Sequence, residues 1–186
     1  MRIVAFVGMP ASGKSEAAKT ANKRNIPVIV MGDVVRREAE RRGLDPSDAN
    51  IGGLADQLRA AEGMDAIAKR CIPLIRELHK DAVVIDGIRG PAEVDLFRRE
   101  FGDDFMLISI VASIDIRLER IISRKRSDAV TSIKSLKIRD ERELGWGMGD
   151  AIASADRVIR NTGTLDQFLE EVEFMIDQIR QDTRKK

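Results

Sequence analysis

Gly8, Met9, Pro10, Ala11, Ser12, Gly13, Lys14 and Ser15 form the stretch with the most specific chemistry in the sequence, a fit to G-x-x-x-x-G-K-[ST]. A row of phosphates is best wrapped by backbone N–H groups, and those reach it only where side chains do not obstruct. Gly13 opens a helical pattern, and the amides and dipole of a helix N-terminus favour an anion. Lys14 places a point charge on the β- and γ-phosphates, and Ser15 offers a hydroxyl to Mg²⁺. Four fixed positions match by chance in ~1% of chains this long. Here the match also lies between an apolar run and a helical pattern, as the chemistry requires. ATP and Mg²⁺ are therefore the expected cofactors.

Three further stations carry charge where a phosphate site would use it. The first is Met31-Gly32-Asp33-Val34-Val35-Arg36. Asp33 suits a helix cap or a catalytic carboxylate, and Arg36 suits an ion pair with Glu40 or a phosphate contact. The second is Asp86-Gly87-Ile88-Arg89-Gly90. An acid ending an apolar strand has no structural use there, but it can hold the water shell of Mg²⁺. The guanidinium of Arg89 is shaped to grip phosphate in a fork. The third is a basic helical segment in which Arg117, Arg120 and Arg124 recur at spacings of three and four, on one face. Cations closing over a phosphoryl group in flight are what phosphoryl transfer needs, so Arg120 and Arg124 are expected on the γ-phosphate. Arg139 and Arg142 follow as a second basic pair. Between them, residues 127–138 lack a core pattern and suggest a mobile excursion, with Gly145, Gly147 and Gly149 around Trp146 as a hinge or a packed turn.

Positioning these groups requires strands that end at them. Apolar runs at residues 3–7, 27–31, 82–86, 105–112 and 158–160 read as strands. Helical patterns read at 13–24, 34–42, 62–78 (kinked or split at Pro73), 92–101, 114–126 and 164–180. Near-continuous apolar strands alternating with helices predict a parallel sheet covered on both faces. The expected architecture is a three-layer α/β P-loop NTPase fold, with a central, mainly parallel five-stranded sheet and a small helical lid. Residues 1–186 suit one domain, with an acceptor-binding region at about 32–80 and the lid at about 117–145.

Composition removes several alternatives. The net charge is +1 with 34% charged residues, which makes no general case for a nucleic-acid or membrane surface. Charge is nonetheless uneven, with nine basic and four acidic residues between positions 117 and 142. No apolar run approaches the length of a membrane span, and the run at the N-terminus is too short for a signal peptide, so the expected location is cytoplasmic. The single cysteine, Cys71, lies in an apolar helical pattern and reads as a packing residue. His79, the single histidine, has no second histidine for a metal site and suits a helix end.

At these stations the chain resembles the nucleoside monophosphate kinases, with adenylate kinase and dephospho-coenzyme A kinase as the nearest families. Gly32-Asp33-Val34-Val35-Arg36 matches the G-D-x-x-R of adenylate kinases, whose arginine holds the acceptor phosphate. Asp86-Gly87-Ile88-Arg89 is similar to their D-G-x-P-R but one residue shorter, and Arg120 with Arg124 matches the R-x-x-x-R that opens their lid. Asn161 and Gly163, in Ala155-Asp156-Arg157-Val158-Ile159-Arg160-Asn161-Thr162-Gly163-Thr164, match the A-D-x-x-I-x-N-x-G-[ST] loop that borders the donor adenine in dephospho-coenzyme A kinases. The whole pattern is most similar to an archaeal family of P-loop, nucleotide-kinase-like proteins, through the first two stations, Arg139 to Leu144, and Trp146-Gly147. One departure is plain: Val94 stands where adenylate kinases carry a glutamine that reads adenine.

The resemblance implies a kinase that moves the γ-phosphoryl of ATP·Mg²⁺ to a phosphate-bearing nucleotide such as a nucleoside monophosphate. Arg36, Arg89, Arg139 and Arg142 would hold the acceptor, and Lys14, Arg120 and Arg124 would stabilise the phosphoryl. Two alternatives stand beside it. One is a dephospho-coenzyme A-type kinase acting on a sugar hydroxyl with Asp33 as base. The other is a P-loop ATPase serving RNA–protein or other macromolecular assembly. The chain lacks an N-K-x-D guanine reader and an L-S-G-G-Q-like segment, which argues against a GTPase or a transporter. A monomer or homodimer is expected.

Overall fold

The computed structural model describes residues 1–123 and 133–184. Five strands, β1 (Arg2–Val7), β2 (Val28–Val30), β3 (Ala82–Asp86), β4 (Phe105–Val111) and β5 (Arg157–Arg160), pair in the order β2-β3-β1-β4-β5. Every pairing is parallel. From β1 the chain's later strands lie on both sides, so the loops at the C-terminal strand ends diverge and open a crevice there. Register brings the ends together: Phe6 of β1 pairs with Asp86 and with Ile108, and Val30 of β2 also pairs with Asp86.

Side-chain alternation along the strands builds two cores. Ile3, Ala5, Val7, Val83, Ile85 and Leu107 face one layer. That layer holds α2 (Met31–Arg41), α3 (Asp48–Glu62), α4 (Ala66–Glu77), α5 (Pro91–Phe101) and α8 (Met148–Ala153). Val4, Phe6, Val84, Ile108, Ile110 and Ile159 face α1 (Lys14–Lys23) and α9 (Leu165–Arg184). Both faces are thus covered, as fully apolar parallel strands demand. The remaining helices, α6 (Ile114–Ser123) and α7 (Ile133–Gly145), stand beyond the strand ends.

Several boundaries differ from the sequence expectations, each for a local reason. The second strand stops at Val30, and α2 begins at Met31, so Asp33 lies in the first helical turn and does not cap it. The pattern expected as one helix from residue 62 is divided at Gly63, which has φ 100° and ends α3. Pro73 lies inside α4, which continues through it to Glu77. Helix α3 was hidden by Gly52 and Gly53, although Leu54 and Leu58 are spaced four apart and buried. The excursion expected over residues 127–138 falls partly outside the described residues. From Ile133 it is helix, with Leu136 fully buried. Cys71 is buried in the core, and burial pushes its thiol up to about 12, fitting the packing role. His79 is exposed just past the end of α4. Among the described residues, no helix is long and apolar enough to cross a membrane.

Candidate active site

Residues 8 to 13 join β1 to α1, whose first residues are Lys14 and Ser15, at the centre of the crevice. The loop turns through positive φ at Ala11 (61°) and Gly13 (121°). A Cβ on Gly13 would collide with the Asn161 side chain and press on Phe168, so glycine is required for space as well as conformation. Lys14 is buried and donates through Nζ to the carbonyls of Gly8 and Met9. Burial, with Arg89 nearby, lowers its pKa to about 8. The Ser12 hydroxyl is buried with no hydrogen-bond partner, inside a loop whose ligand would be an anion.

Asp86 ends β3, buried beside Lys14. Burial raises its pKa, against the pull of Lys14, Arg89 and a hydrogen bond with Ser15. A buried carboxylate bonded to a hydroxyl, at the foot of a phosphate loop, is the donor chemistry Mg²⁺ takes when phosphates and water complete its oxygen shell. Ser15 and Asp86 therefore fit that ion. Among the described residues no cluster of three or more His, Cys, Asp or Glu forms a separate metal site.

The loop is buttressed from the far edge of the sheet. Asn161, just past β5 and buried, donates through Nδ2 to the Ser12 carbonyl at 2.8 Å. Arg120 of α6 reaches the same place, donating to the Ser12 carbonyl at 3.3 Å and to Asn161 Oδ1 at 2.7 Å. Arg117, grouped with it in the sequence, is instead buried. It makes two bonds to Asp140 of α7, at 2.9 and 2.6 Å, and one to the Pro10 carbonyl at 3.2 Å. The basic face therefore splits into one arginine on the loop rim and one that fastens α7 to the loop. Arg124 lies outside the described residues. Gly163 sits just before α9 against Gln167, whose Oε1 accepts from the Thr164 backbone N–H and whose backbone N–H donates to Thr164 Oγ1.

Beside Gly87 and Arg89, in the turn after β3, lies a cavity of about 130 Å³. Arg36, Arg59, Arg89, Arg139 and Arg142 line it, with Glu143 as the lining acid and Trp146 as the aromatic. Four of these arginines are the ones singled out from the sequence. Arg89 donates to Glu143 at 2.6 Å, and Arg139 donates to the same carboxylate at 3.3 Å. Arg36 pairs with Asp33 at 2.8 Å, not with Glu40. Asp33 faces a different groove, beside β2, with Arg37 and Glu77.

Arg59, Glu93, Asp56 and the Asp140 partner were not found from the sequence as site residues. Glu93 of α5 is buried, accepts from Arg59 Nη2 at 3.2 Å and from the Arg89 backbone N–H at 2.7 Å, and so fixes the turn bearing Arg89. Its signal was an acid four residues before the core residue Phe97, on an apolar helix face. Asp56 accepts from Trp146 Nε1 at 2.7 Å, and the Arg59 guanidinium lies 4.4 Å from the Trp146 ring centre. A Cβ on Gly90 would collide with the Trp146 carbonyl and one on Gly147 with the Pro91 ring, whereas one on Gly145 would meet nothing, so Gly147 alone of the three glycines around Trp146 is tightly packed.

Comparison with known proteins agrees with this fold. Residues 7–137 match the family described as AAA domain. A UPF0200 protein of Methanosarcina barkeri is 56% identical over 182 residues, covering 97% of this chain and 98% of that one. Among solved structures, a shikimate kinase from Bacteroides thetaiotaomicron superposes with a TM-score of 0.67 at 13% identity, over 96% of this chain and 98% of the other. A dephospho-CoA kinase from Campylobacter jejuni superposes with a TM-score of 0.60 at 17% identity, over 96% and 98%. At such identities the two kinases establish the fold: an α/β P-loop kinase-like domain.

Proposed function

We propose that this chain, which belongs to the UPF0200 proteins and to the AAA domain family, transfers the γ-phosphoryl of ATP·Mg²⁺ to a small phosphate-bearing acceptor, such as a nucleoside monophosphate. The observation that carries the reading is the adjacency of two cationic features, since Lys14 lies within electrostatic reach of Arg89 and Arg139. One is the phosphate loop with Lys14, and the other is the arginine-lined cavity. A protein that only switched or hydrolysed would have no use for the second.

Each residue then has a physical task. Backbone amides of residues 8 to 15 wrap the donor phosphates, and Ser12 gives its unpartnered hydroxyl. Lys14 can turn from two carbonyls to phosphate oxygens, whose charge favours the protonated amine against its burial. Mg²⁺, when bound, neutralises charge on the phosphates. Ser15 and Asp86 would hold it. Arg36, Arg89, Arg139 and Arg142 would orient the acceptor, and Arg120 would stabilise charge at the loop rim.

A phosphate acceptor needs no general base, whereas a hydroxyl acceptor does. Asp33, the base candidate, lies within electrostatic reach of Asp86 and lines the groove beside β2, with its carboxylate paired to the cavity-lining Arg36. That ion pair occupies the carboxylate, which supports the phosphate acceptor over the dephospho-coenzyme A-type reading. The deciding experiment incubates the protein with ATP·Mg²⁺ and a panel of nucleoside monophosphates and dephospho-coenzyme A, scoring ADP against an acceptor-free control. ADP formed only with nucleoside monophosphates is expected. ADP formed with dephospho-coenzyme A alone points to the hydroxyl reading, and acceptor-independent ADP points to an assembly ATPase.

A further inference from the structure

Arg59 belongs to α3, on the wall of the arginine cavity, and its side chain is only 4% exposed. One terminal nitrogen, Nη2, serves Glu93 at 3.2 Å. The other, Nη1, is buried with no hydrogen-bond partner. An unsatisfied buried donor costs stability, and more so on a cation. Such a donor persists where a ligand supplies the missing acceptor.

The rest of the lining says what kind of ligand. Among the described residues, no Asn, Gln, Ser or Thr side chain lines the cavity. Beyond the arginines and Glu143, its walls are Met31, Val35, Ile51, Ala55 and Ile67, three glycines, and Trp146. Base edges are read by side-chain amides and hydroxyls, and none are offered. The indole, which could stack on a base, already has the guanidiniums of Arg59 and Arg142 over it, at 4.4 and 5.6 Å. Val94, at the position where a glutamine would read adenine, is buried in the core. Among the described side chains, the directional donors in the cavity are therefore guanidiniums, and its carboxylate, Glu143, is held by two of them.

Resting on the reading of this cavity as the acceptor site, we propose that Arg59 is a specificity-determining residue: its Nη1 donates to the acceptor's phosphate, and the acceptor is selected as a phosphomonoester with its base left unread. Five arginines suit a group carrying up to two charges and three outward oxygens, and exceed what one carboxylate can engage.

The chain supplies its own reporter, because Trp146 is its single tryptophan and lies against Arg59. Inorganic phosphate is titrated against Trp146 fluorescence at constant ionic strength in Lys14→Ala protein, without nucleotide, so that the phosphate loop is disabled and turnover is not required. Sodium acetate is the carboxylate control. The expected result is a saturable change with phosphate and none with acetate. Arg59→Lys, which keeps a cation beside Glu93 but loses the fork, should raise the apparent Kd at least tenfold. An Arg59→Gln, Glu93→Gln pair should do the same if the lysine variant melts early. In the wild-type enzyme, KM values for purine and pyrimidine monophosphates should agree within about fivefold. Saturation by acetate, no saturable response to phosphate, an unchanged Kd in both variants, or a strong base preference would each overturn the proposal. Phosphate binding without phosphoryl transfer would overturn the kinase reading and leave this one standing.

Discussion

Arg89 Nη1 donates to the Glu143 carboxylate at 2.6 Å, across 54 residues of sequence, and so ties the turn after β3 to α7. Glu143 is buried and also accepts from Arg139. The carboxylate therefore stands where an acceptor phosphate would otherwise engage both guanidiniums. Glu143→Gln keeps the shape and removes the competing charge. Steady-state kinetics should show the acceptor KM falling several-fold. Loss of a charged hydrogen-bond partner should cost ~1–3 kcal/mol in urea melts. A rise in KM would show that Glu143 aims Arg89 instead of competing for it.

Lys14 makes nucleotide affinity depend on pH in a definite direction. Its pKa is lowered in the folded protein from 10.5 to about 8, first by burial and then by Arg89. The unfolded chain thus holds this proton more tightly. Burying the charged amine costs stability, in full below pH about 8, and the cost is relieved as pH rises from about 8 to 10.5. Phosphates beside the amine reverse the shift. Nucleotide binding should therefore take up a proton near and above pH 8, and affinity should fall as pH rises further, by at most about tenfold per unit. Calorimetry in two buffers of different ionisation heat measures the uptake. Lys14→Ala should abolish both the uptake and turnover while the fold survives.

Much of this was legible in the chain itself. Continuous apolar strands gave the parallel sheet, and the phosphate loop is fixed by residue types within eight positions. Arg36, Arg89, Arg139 and Arg142 were found because they sit in short motifs beside strand ends or glycines, and all four line one cavity. Arg59 was not, because an arginine on a helix face reads as solvated until a distant Glu93 and Trp146 are placed against it. Arg117 misled for the opposite reason. Its spacing puts it with Arg120, but only the fold brings Asp140 to within 2.6 Å and takes it away from the phosphates. Periodicity reports which face a residue occupies, not what that face meets.

The buttress behind the phosphate loop separates binding from chemistry. Asn161 holds the Ser12 carbonyl from below and is itself held by Arg120. Asn161→Ala removes both bonds without touching Lys14 or Asp86. The expected outcome is a several-fold rise in nucleotide Kd, with kcat at saturating nucleotide changed less than about threefold. Lost hydrogen bonds should cost ~1–3 kcal/mol of stability. Equal losses in kcat and affinity would instead mean that the loop's catalytic geometry depends on this contact.

The Arg59–Glu93 pair lies almost wholly out of water, with side chains 4% and 1% exposed. Breaking such a pair strands a buried charge, at ~3–5 kcal/mol, whereas removing both partners costs much less. Arg59→Met should therefore destabilise strongly, and adding Glu93→Gln should recover most of the loss. The pH dependence follows from Glu93, whose pKa is raised, chiefly by burial, with Arg59 opposing. A carboxylate raised in the folded state binds its proton more tightly there than when unfolded. Its stabilising contribution is present below the unfolded pKa and is lost as pH rises through the folded one. Without Arg59 the shift grows, so the gap between Arg59→Met and wild type should narrow as pH falls from 7.5 to 5. Urea melts at both pH values measure it. A gap independent of pH would mean that Arg59 stabilises by packing on Trp146 and not by compensating Glu93.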